Sequence, residues 1–135
     1  MTVHHEKLAV TTDKRETTVD VTSRVRAAVT RSKVREGLCV VSVAHTTAAV
    51  FVNENADPDV QRDLLHQLAQ VVPKDGDYCH AEGNSPAHIK AVLVGNDVTL
   101  SIQSGELVLG TWQGVYFAEF DGPRERSATV TVIGD

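Results

Sequence analysis

The sequence predicts an α+β fold: a compact single domain, residues 1–135, of packed antiparallel β-sheets in a sandwich-like arrangement with about three helices. Three observations lead to this fold class. β-rich segments follow one another along the chain, three helical segments are interspersed among them, and the strict strand–helix–strand alternation of a parallel sheet is absent. The length of 135 residues is that of one domain, and the 41% hydrophobic and 23% charged content is typical of a globular protein.

Four strands and one helix are predicted in the N-terminal part of the chain, before the polar middle. Two β-rich segments, residues 7–12 and 16–21, precede a helix at residues 22–34. Residues 38–44 then alternate as a strand, and residues 48–53 are predicted as its partner strand. Because side chains two apart share a strand face, one face carries four residues: Cys39, Val41, Val43 and His45.

Two further helices begin at a capping residue followed by proline. Asp57-Pro58 begins a helix whose apolar stripe is expected to pack on a sheet. Ser85-Pro86 begins a shorter helix, which Gly95 is expected to end in the left-handed conformation. Four strands complete the predicted domain, at residues 97–102, 107–109, 111–120 and 127–133.

Charge and composition exclude several classes of partner. The net charge of −5 and the pI near 5.6 argue against nucleic acid, because binding its phosphates needs a basic surface. The most apolar stretch, residues 37–52, is too short to span a bilayer, so no membrane partner is expected. No secretory leader is visible, and two cysteines do not form a disulfide framework. We therefore expect a cytoplasmic protein.

Three histidines, His45, His80 and His88, lie beside turn residues in the polar middle of the chain. Each alone has an ordinary structural explanation, but neutral imidazole is a common metal ligand and the usual general base near neutral pH. His88 lies in the first turn of its helix, where the positive end of the helix dipole favours the neutral ring. We predict that the three form one site, as catalytic groups or as ligands of a divalent metal. Zinc suits the imidazoles and magnesium suits the nearby carboxylates, and the sequence leaves this choice open.

The remaining histidines receive no functional role. His66 lies opposite the apolar stripe of its helix, so we expect it at the surface. His4 and His5 lie in an N-terminal segment that is expected to fray.

Several other residues suit an anionic or ring-shaped ligand. The helix start at Asn84 offers free backbone N–H groups, and the guanidinium groups of Arg124 and Arg126 suit phosphate or carboxylate. A salt bridge from Arg124 to Glu119 or Asp121 is the alternative interpretation.

Trp112 and Cys79 each have a structural and a functional interpretation. Trp112, next to Gln113, forms the floor of a ring-binding pocket or belongs to the core. Cys79, next to His80, is a soft ligand or a chance neighbour. The familiar nucleotide-binding and hydrolase motifs are absent, so no short motif names a reaction.

Three segments in order resemble one protein family: HTTAAVFVNENADPDV, GDYCHAEGNSPAHIKAVLVG and GELVLGTWQGVYFAEFDGPRER. They are similar to the YjbQ-like family, catalogued as UPF0047 and also labelled secondary thiamine-phosphate synthase. The resemblance covers the chain from about Gly37 to the C-terminus, and residues before it match more loosely. It implies a compact α+β fold, a homotrimer and a pocket near the subunit interface. The matching pocket residues are His45, Thr46, His80, Asn84, His88, Trp112 and Gln113, and Arg124 and Arg126 match a C-terminal arginine motif.

The family label implies a reaction that joins a pyrimidine pyrophosphate to a thiazole phosphate and releases pyrophosphate. The expected partner is then a small phosphorylated or heterocyclic ligand. Two alternatives remain open: a non-enzymatic module that binds a metal or an anion, and a metal-dependent hydrolase.

Overall fold

The computed structural model describes residues 1–135 and contains three helices and eight strands. All strand pairings are antiparallel, so the predicted α+β class is confirmed. None of the helices is long and apolar enough to cross a membrane. The helices are α1 (Thr22–Ser32), α2 (Pro58–Val71) and α3 (Ser85–Val94). The strands are β1 (Thr2–Thr11), β2 (Thr17–Asp20), β3 (Gly37–Ser42), β4 (Ala48–Glu54), β5 (Asp97–Gln103), β6 (Glu106–Leu107), β7 (Gln113–Glu119) and β8 (Glu125–Gly134).

The strands form two sheets that share one core. The first sheet has the order β1-β8-β3-β5-β6, and the second has the order β2-β7-β4. A cluster of 19 buried hydrophobic residues includes side chains from both sheets and from α1, among them Val29, Val41, Phe117 and Val130. A smaller cluster of five lies between β4, β7 and α3, with Leu65 and Leu68 of α2 packed against it. Strand β7 is therefore apolar on both faces, because it has a cluster on each side.

The predicted pairing of β3 with β4 is wrong. Strand β3 pairs with β5 and β8, whereas β4 pairs with β7 in the other sheet. The segment between Ser42 and Ala48 crosses from one sheet to the other, and His45 lies in this crossing rather than at the end of the strand.

The expectation of a frayed N-terminus is also wrong. Strand β1 begins at Thr2 and pairs with β8 over ten residues, as far as Gly134. Within it, a nitrogen of His4 lies 2.7 Å from Glu6, and one of His5 lies 3.1 Å from the Thr131 hydroxyl.

The helix boundaries follow their capping residues. The Asp57 carboxylate accepts a hydrogen bond from the Asp59 N–H at 2.9 Å, as expected for the start of α2. Helix α3 ends at Gly95, but the φ of 101° and ψ of 159° lie outside the left-handed helical conformation that we expected. Helix α2 buries no residue completely and Val71 is 61% exposed, so its stripe covers the sheet only in part.

Candidate functional site

His45 is held in the crossing between the two sheets by the backbone of Ser127. The Nε2 atom lies 3.1 Å from the Ser127 nitrogen and 3.2 Å from the Ser127 oxygen. The ring also meets the edge of Phe117 at a centroid distance of 6.5 Å. Since Phe117 is in the core, the imidazole has one side against the core and one side facing the clefts described below.

The two contacts of Nε2 correspond to two neutral tautomers. If the Ser127 N–H donates, Nε2 carries the lone pair and Nδ1 carries the proton. If Nε2–H donates to the Ser127 carbonyl, Nδ1 carries the lone pair and is available as a base or ligand. A role for His45 as a general base or a metal ligand, as predicted from the sequence, requires the second tautomer.

The surroundings of His45 favour the uncharged ring. Burial lowers the pKa of His45, and the positive charges of Arg126 and Lys7 lower it further. The Ser127 carbonyl and the Glu119 carboxylate act in the opposite direction and do not cancel the shift. His45 is therefore uncharged at neutral pH, which is the form that a general base or a metal ligand requires.

The shifted pKa of His45 predicts how stability depends on pH. The unfolded chain has the ordinary histidine pKa of about 6.5, so it binds the proton more readily than the folded chain does. The free energy of unfolding should therefore fall as the pH decreases through about 6.5, and the fall should end below the pKa of His45 in the folded chain. We expect the free energy of unfolding of His45→Gln to fall less than that of the wild type between pH 7.5 and 5.5, measured by urea denaturation. The exposed His66→Gln is the matched control, and equal slopes for His45→Gln and the wild type would contradict the expectation.

A buried ion pair supports the strand that holds His45. Glu119 is fully buried, and its two carboxylate oxygens accept hydrogen bonds from Arg126 at 2.9 and 2.5 Å. The same guanidinium donates to the Thr47 hydroxyl at 2.7 Å, two residues after His45. Burial alone would raise the pKa of Glu119, but the hydrogen bonds from Arg126, from the Thr12 hydroxyl and from the Asp121 N–H hold it below its usual range. Arg126, which precedes Ser127 in β8, thus connects β8 to the end of β7 and to Thr47 in the crossing that contains His45.

A second polar cluster surrounds Asp121. Its carboxylate accepts hydrogen bonds from the Asn84 amide at 2.9 Å and from Arg124 at 3.0 Å. Burial would raise the pKa of Asp121, but these hydrogen bonds and the charges of Arg124 and Arg15 hold it below its usual value. The salt bridge that the sequence left open for Arg124 is therefore present.

His45 and His88 line the same surface cleft. Its volume is about 490 Å³, and Thr46 and Asn96 provide further polar groups. This size is within the range of sites for small molecules. A second cleft of about 360 Å³ lies on the other side of His45, where Lys7 and Arg126 are the cationic groups.

His80 lies beside His88 rather than beside His45. The His80 and His88 ring centroids are 5.3 Å apart with the rings perpendicular. The two histidines share a cleft of about 360 Å³ with Cys79 and Asp77. No three histidine, cysteine, aspartate or glutamate side chains of one chain are arranged to hold a metal ion, so the three histidines do not form a metal centre within one chain.

Trp112 and Gln113 lie far from the histidines in the same chain. Gln113 begins the seven-residue strand β7, whereas Glu119, next to the His45 region, ends it. At ~3.3 Å per residue the separation is about 20 Å. The indole of Trp112 is 63% exposed, so it does not belong to the core. A pocket that contains Trp112 and His45 together therefore needs a second copy of the chain.

The family comparison matches almost the whole chain. The family model described as "UPF0047 protein YjbQ-like" matches residues 6–135. The chain belongs to the YjbQ-like (UPF0047) family. It is 50% identical over 129 residues to UPF0047 protein MJ1081 of Methanocaldococcus jannaschii, which covers 96% of this chain and 94% of the relative. It is 41% identical over 128 residues to UPF0047 protein YugU of Bacillus subtilis, which covers 94% and 97%.

Solved YjbQ-like structures have the same fold. An uncharacterized protein of this family from Clostridium acetobutylicum superimposes with a TM-score of 0.93 at 51% identity, covering 95% of this chain and 99% of that one. A protein of unknown function from Sulfolobus solfataricus gives a TM-score of 0.96 at 32% identity and 98% coverage of both chains.

Three residues of this YjbQ-like site were not predicted from the sequence: Lys7, Asn96 and, as the partner of Arg126, Glu119. The sequence does contain one indication for Glu119, because it is a carboxylate within the apolar run VYFAEF. Charged residues are rarely buried without a partner, so such a position predicts a buried cation nearby. Nothing in the sequence distinguishes Lys7 or Asn96 from other surface residues.

Proposed function

We propose that this YjbQ-like protein is an enzyme that acts on a small phosphorylated heterocycle, with His45 and His88 as its reactive side chains. The observation that supports this most is the shared cleft, in which His45 is held in its neutral form. The reaction to test is the condensation of a pyrimidine pyrophosphate with a thiazole phosphate. In it, the thiazole nitrogen forms a bond to the pyrimidine methylene carbon, and the bond from that carbon to pyrophosphate breaks.

The charges around His45 support a phosphorylated substrate. Lys7 and Arg126 line the cleft on one side of the imidazole, where their positive charges would stabilise the departing pyrophosphate. Arg126 would remain paired with Glu119 while it contacts the ligand, so its position in the lining of the cleft is fixed. Thr46 and Asn96 would orient the ligand on the His88 side.

We propose that the working form is a homotrimer in the cytoplasm. An assembly would bring Trp112 and Gln113 of one subunit to the histidine cleft of the next, where the indole would stack on the heterocycle. Large exposed apolar side chains support an assembly: Trp112 is 63% exposed, Leu93 58% and Val92 82%. Both cysteines are free, which suits a reducing compartment.

A second candidate function is a metal-dependent hydrolase, or a module that binds a metal or an anion without turnover. The adjacent rings of His80 and His88, with Asp77 and Cys79 in the same cleft, favour it. Zinc would suit the imidazoles and magnesium the carboxylate. Because no three such side chains of one chain come together, a metal bound here would complete its coordination with water or with a donor from another subunit.

The expected result is that the purified protein releases pyrophosphate slowly and forms thiamine phosphate in equal amount. Both products are measured, by a coupled pyrophosphate assay and by chromatography, with and without EDTA. Pyrophosphate release that does not need the thiazole phosphate would support the hydrolase instead. Bound zinc or magnesium with no release under any condition would support the binding module. Absence of both products would contradict the condensation, and absence of bound zinc and magnesium would contradict the metal-dependent alternatives.

A further inference from the structure

A cavity away from the histidine clefts has the features of an anion site. It lies where the turn between β1 and β2, the C-terminal end of α2 and the N-terminal end of α3 meet. Its volume is about 180 Å³, which is roughly six times the ~30 Å³ that one water molecule occupies in the liquid. The cavity therefore accommodates an ion the size of a phosphate with a few waters.

The cavity is positively charged although the chain is acidic. Arg15, Lys74 and Lys90 line it together with one carboxylate, Glu16, whereas the whole chain has a net charge of −5. The Asp121 carboxylate lies 3.9 Å from Arg15, so the three cations exceed the two nearby carboxylates by one. The ammonium group of Lys90 is buried and donates one hydrogen bond, to Glu16 at 2.8 Å. Since an ammonium group has three donors, the buried group has more donors than this one bond uses. The positive end of the α3 dipole adds to the same field.

Asn84, which also lines the cavity, has an unused acceptor. Its side chain is only 8% exposed and makes no capping hydrogen bond to α3. The amide nitrogen donates to Asp121 at 2.9 Å, which fixes the orientation of the amide, because the reverse orientation would place two oxygens together. The Oδ1 atom is buried and has no hydrogen-bond partner. A buried acceptor without a partner costs about 1–3 kcal/mol, so this site is suited to a ligand with an O–H donor.

We propose that this cavity binds hydrogen phosphate, or a small phosphate ester that carries a hydroxyl group. The charged oxygens accept hydrogen bonds from Lys90 and Arg15, with Lys74 nearby, and the O–H donates to Asn84 Oδ1. Sulfate has the same shape but carries no hydroxyl at neutral pH. A site that hydrogen-bonds an O–H rejects an analogue without it, so phosphate is preferred over sulfate.

Isothermal titration calorimetry at pH 7.5 and constant ionic strength tests this with sodium phosphate, sodium sulfate and glycerol phosphate as separate titrants. We expect phosphate to bind at least tenfold more tightly than sulfate. If glycerol phosphate binds more tightly than phosphate, the ligand is a hydroxyl-bearing phosphate ester. If it binds more weakly, the ligand is the free phosphate ion. Arg15→Ala and Lys74→Ala, both at exposed positions, should each weaken phosphate binding about tenfold or more, whereas Arg24→Ala on α1 should leave it unchanged.

Two further measurements make the test specific to this cavity. Asn84→Ala should remove the preference for phosphate over sulfate, with circular dichroism confirming that the variant folds. Arg15→Ala should keep the wild-type rate of the proposed condensation, because Arg15 does not line the histidine clefts. A loss of phosphate binding without a loss of that rate separates this proposal from the proposed function. Equal affinity for the two ions, equal losses in Arg15→Ala and Arg24→Ala, or no phosphate binding at millimolar concentration would overturn the proposal.

Discussion

Replacing Glu119 with alanine is expected to lower the free energy of unfolding by about 3–5 kcal/mol, the usual cost of removing one partner from a buried ion pair. The side chain of Arg126 is only 6% exposed, and the substitution leaves its charge buried without a counterion. The Thr12 hydroxyl and the Asp121 N–H lose their acceptor at the same time. Because Arg126 also donates to Thr47, the crossing that contains His45 should become disordered before the rest of the fold does.

Urea denaturation of Glu119→Ala measures this loss, and Arg62→Ala is the matched control. Arg62 forms an exposed salt bridge with Asp59 at 2.8 Å, and such a pair contributes at most about 1 kcal/mol. Replacing both members of the buried pair, as Glu119→Leu with Arg126→Met, should recover part of the stability, since no buried charge is left unpaired. A loss in Glu119→Ala no larger than that in Arg62→Ala would show that the ion pair is not a structural element.

The parts of the fold that local rules determine were predictable from the sequence. Helix α3 has the predicted bounds because Pro86 fixes its start and Gly95 its end, both through backbone geometry. The pairing of β4 was not predictable, because alternation identifies a strand but not its neighbour. Strand β4 pairs with β7 because of a core to which distant parts of the chain contribute, among them Phe117 of β7 and Val130 of β8. The ordered state of His4 and His5 likewise comes from pairing with β8, at the other end of the sequence.

The candidate site was predictable only in its individual residues. The family motifs pointed to His45 and His88, but the shared cleft depends on the crossing between the sheets, which no local pattern indicates. Glu119 at the end of β7 and Arg126 near the start of β8 form an ion pair across the turn between these strands, so both charges are used internally. For Trp112 the family motifs were misleading within one chain. They group Trp112 with the histidines, whereas the structure places Trp112 at the start of β7 and His45 near its end.

Replacing His45 with glutamine should reduce the rate of the proposed condensation by about 10²–10³-fold, the usual cost of removing one hydrogen-bond donor that stabilises developing charge, here the Nδ1–H of His45 and the charge of the departing pyrophosphate. Glutamine keeps a polar group near Ser127 and therefore preserves the local hydrogen bond. His88→Gln should have a comparable effect, since His88 lines the same cleft. His66→Gln, at the exposed face of α2, should behave like the wild type. If the rate of His45→Gln stays within a factor of three of the wild type, His45 has no chemical role.

Mixing two inactive variants tests whether neighbouring subunits share the site. We expect that His45→Gln and Trp112→Ala, each nearly inactive alone, recover activity after joint unfolding and refolding. In a ring with head-to-tail interfaces, a site is intact only when one variant supplies Trp112 and the other supplies His45. Random assembly of an equal mixture then restores about one quarter of the wild-type activity. Two variants of the same cleft, His45→Gln and His88→Gln, are the control and should recover nothing, because both changes fall on the residues that one subunit contributes. A shared site would be refuted if the first mixture stayed inactive while light scattering showed that mixed oligomers had formed, and a monomeric mass would refute the homotrimer itself.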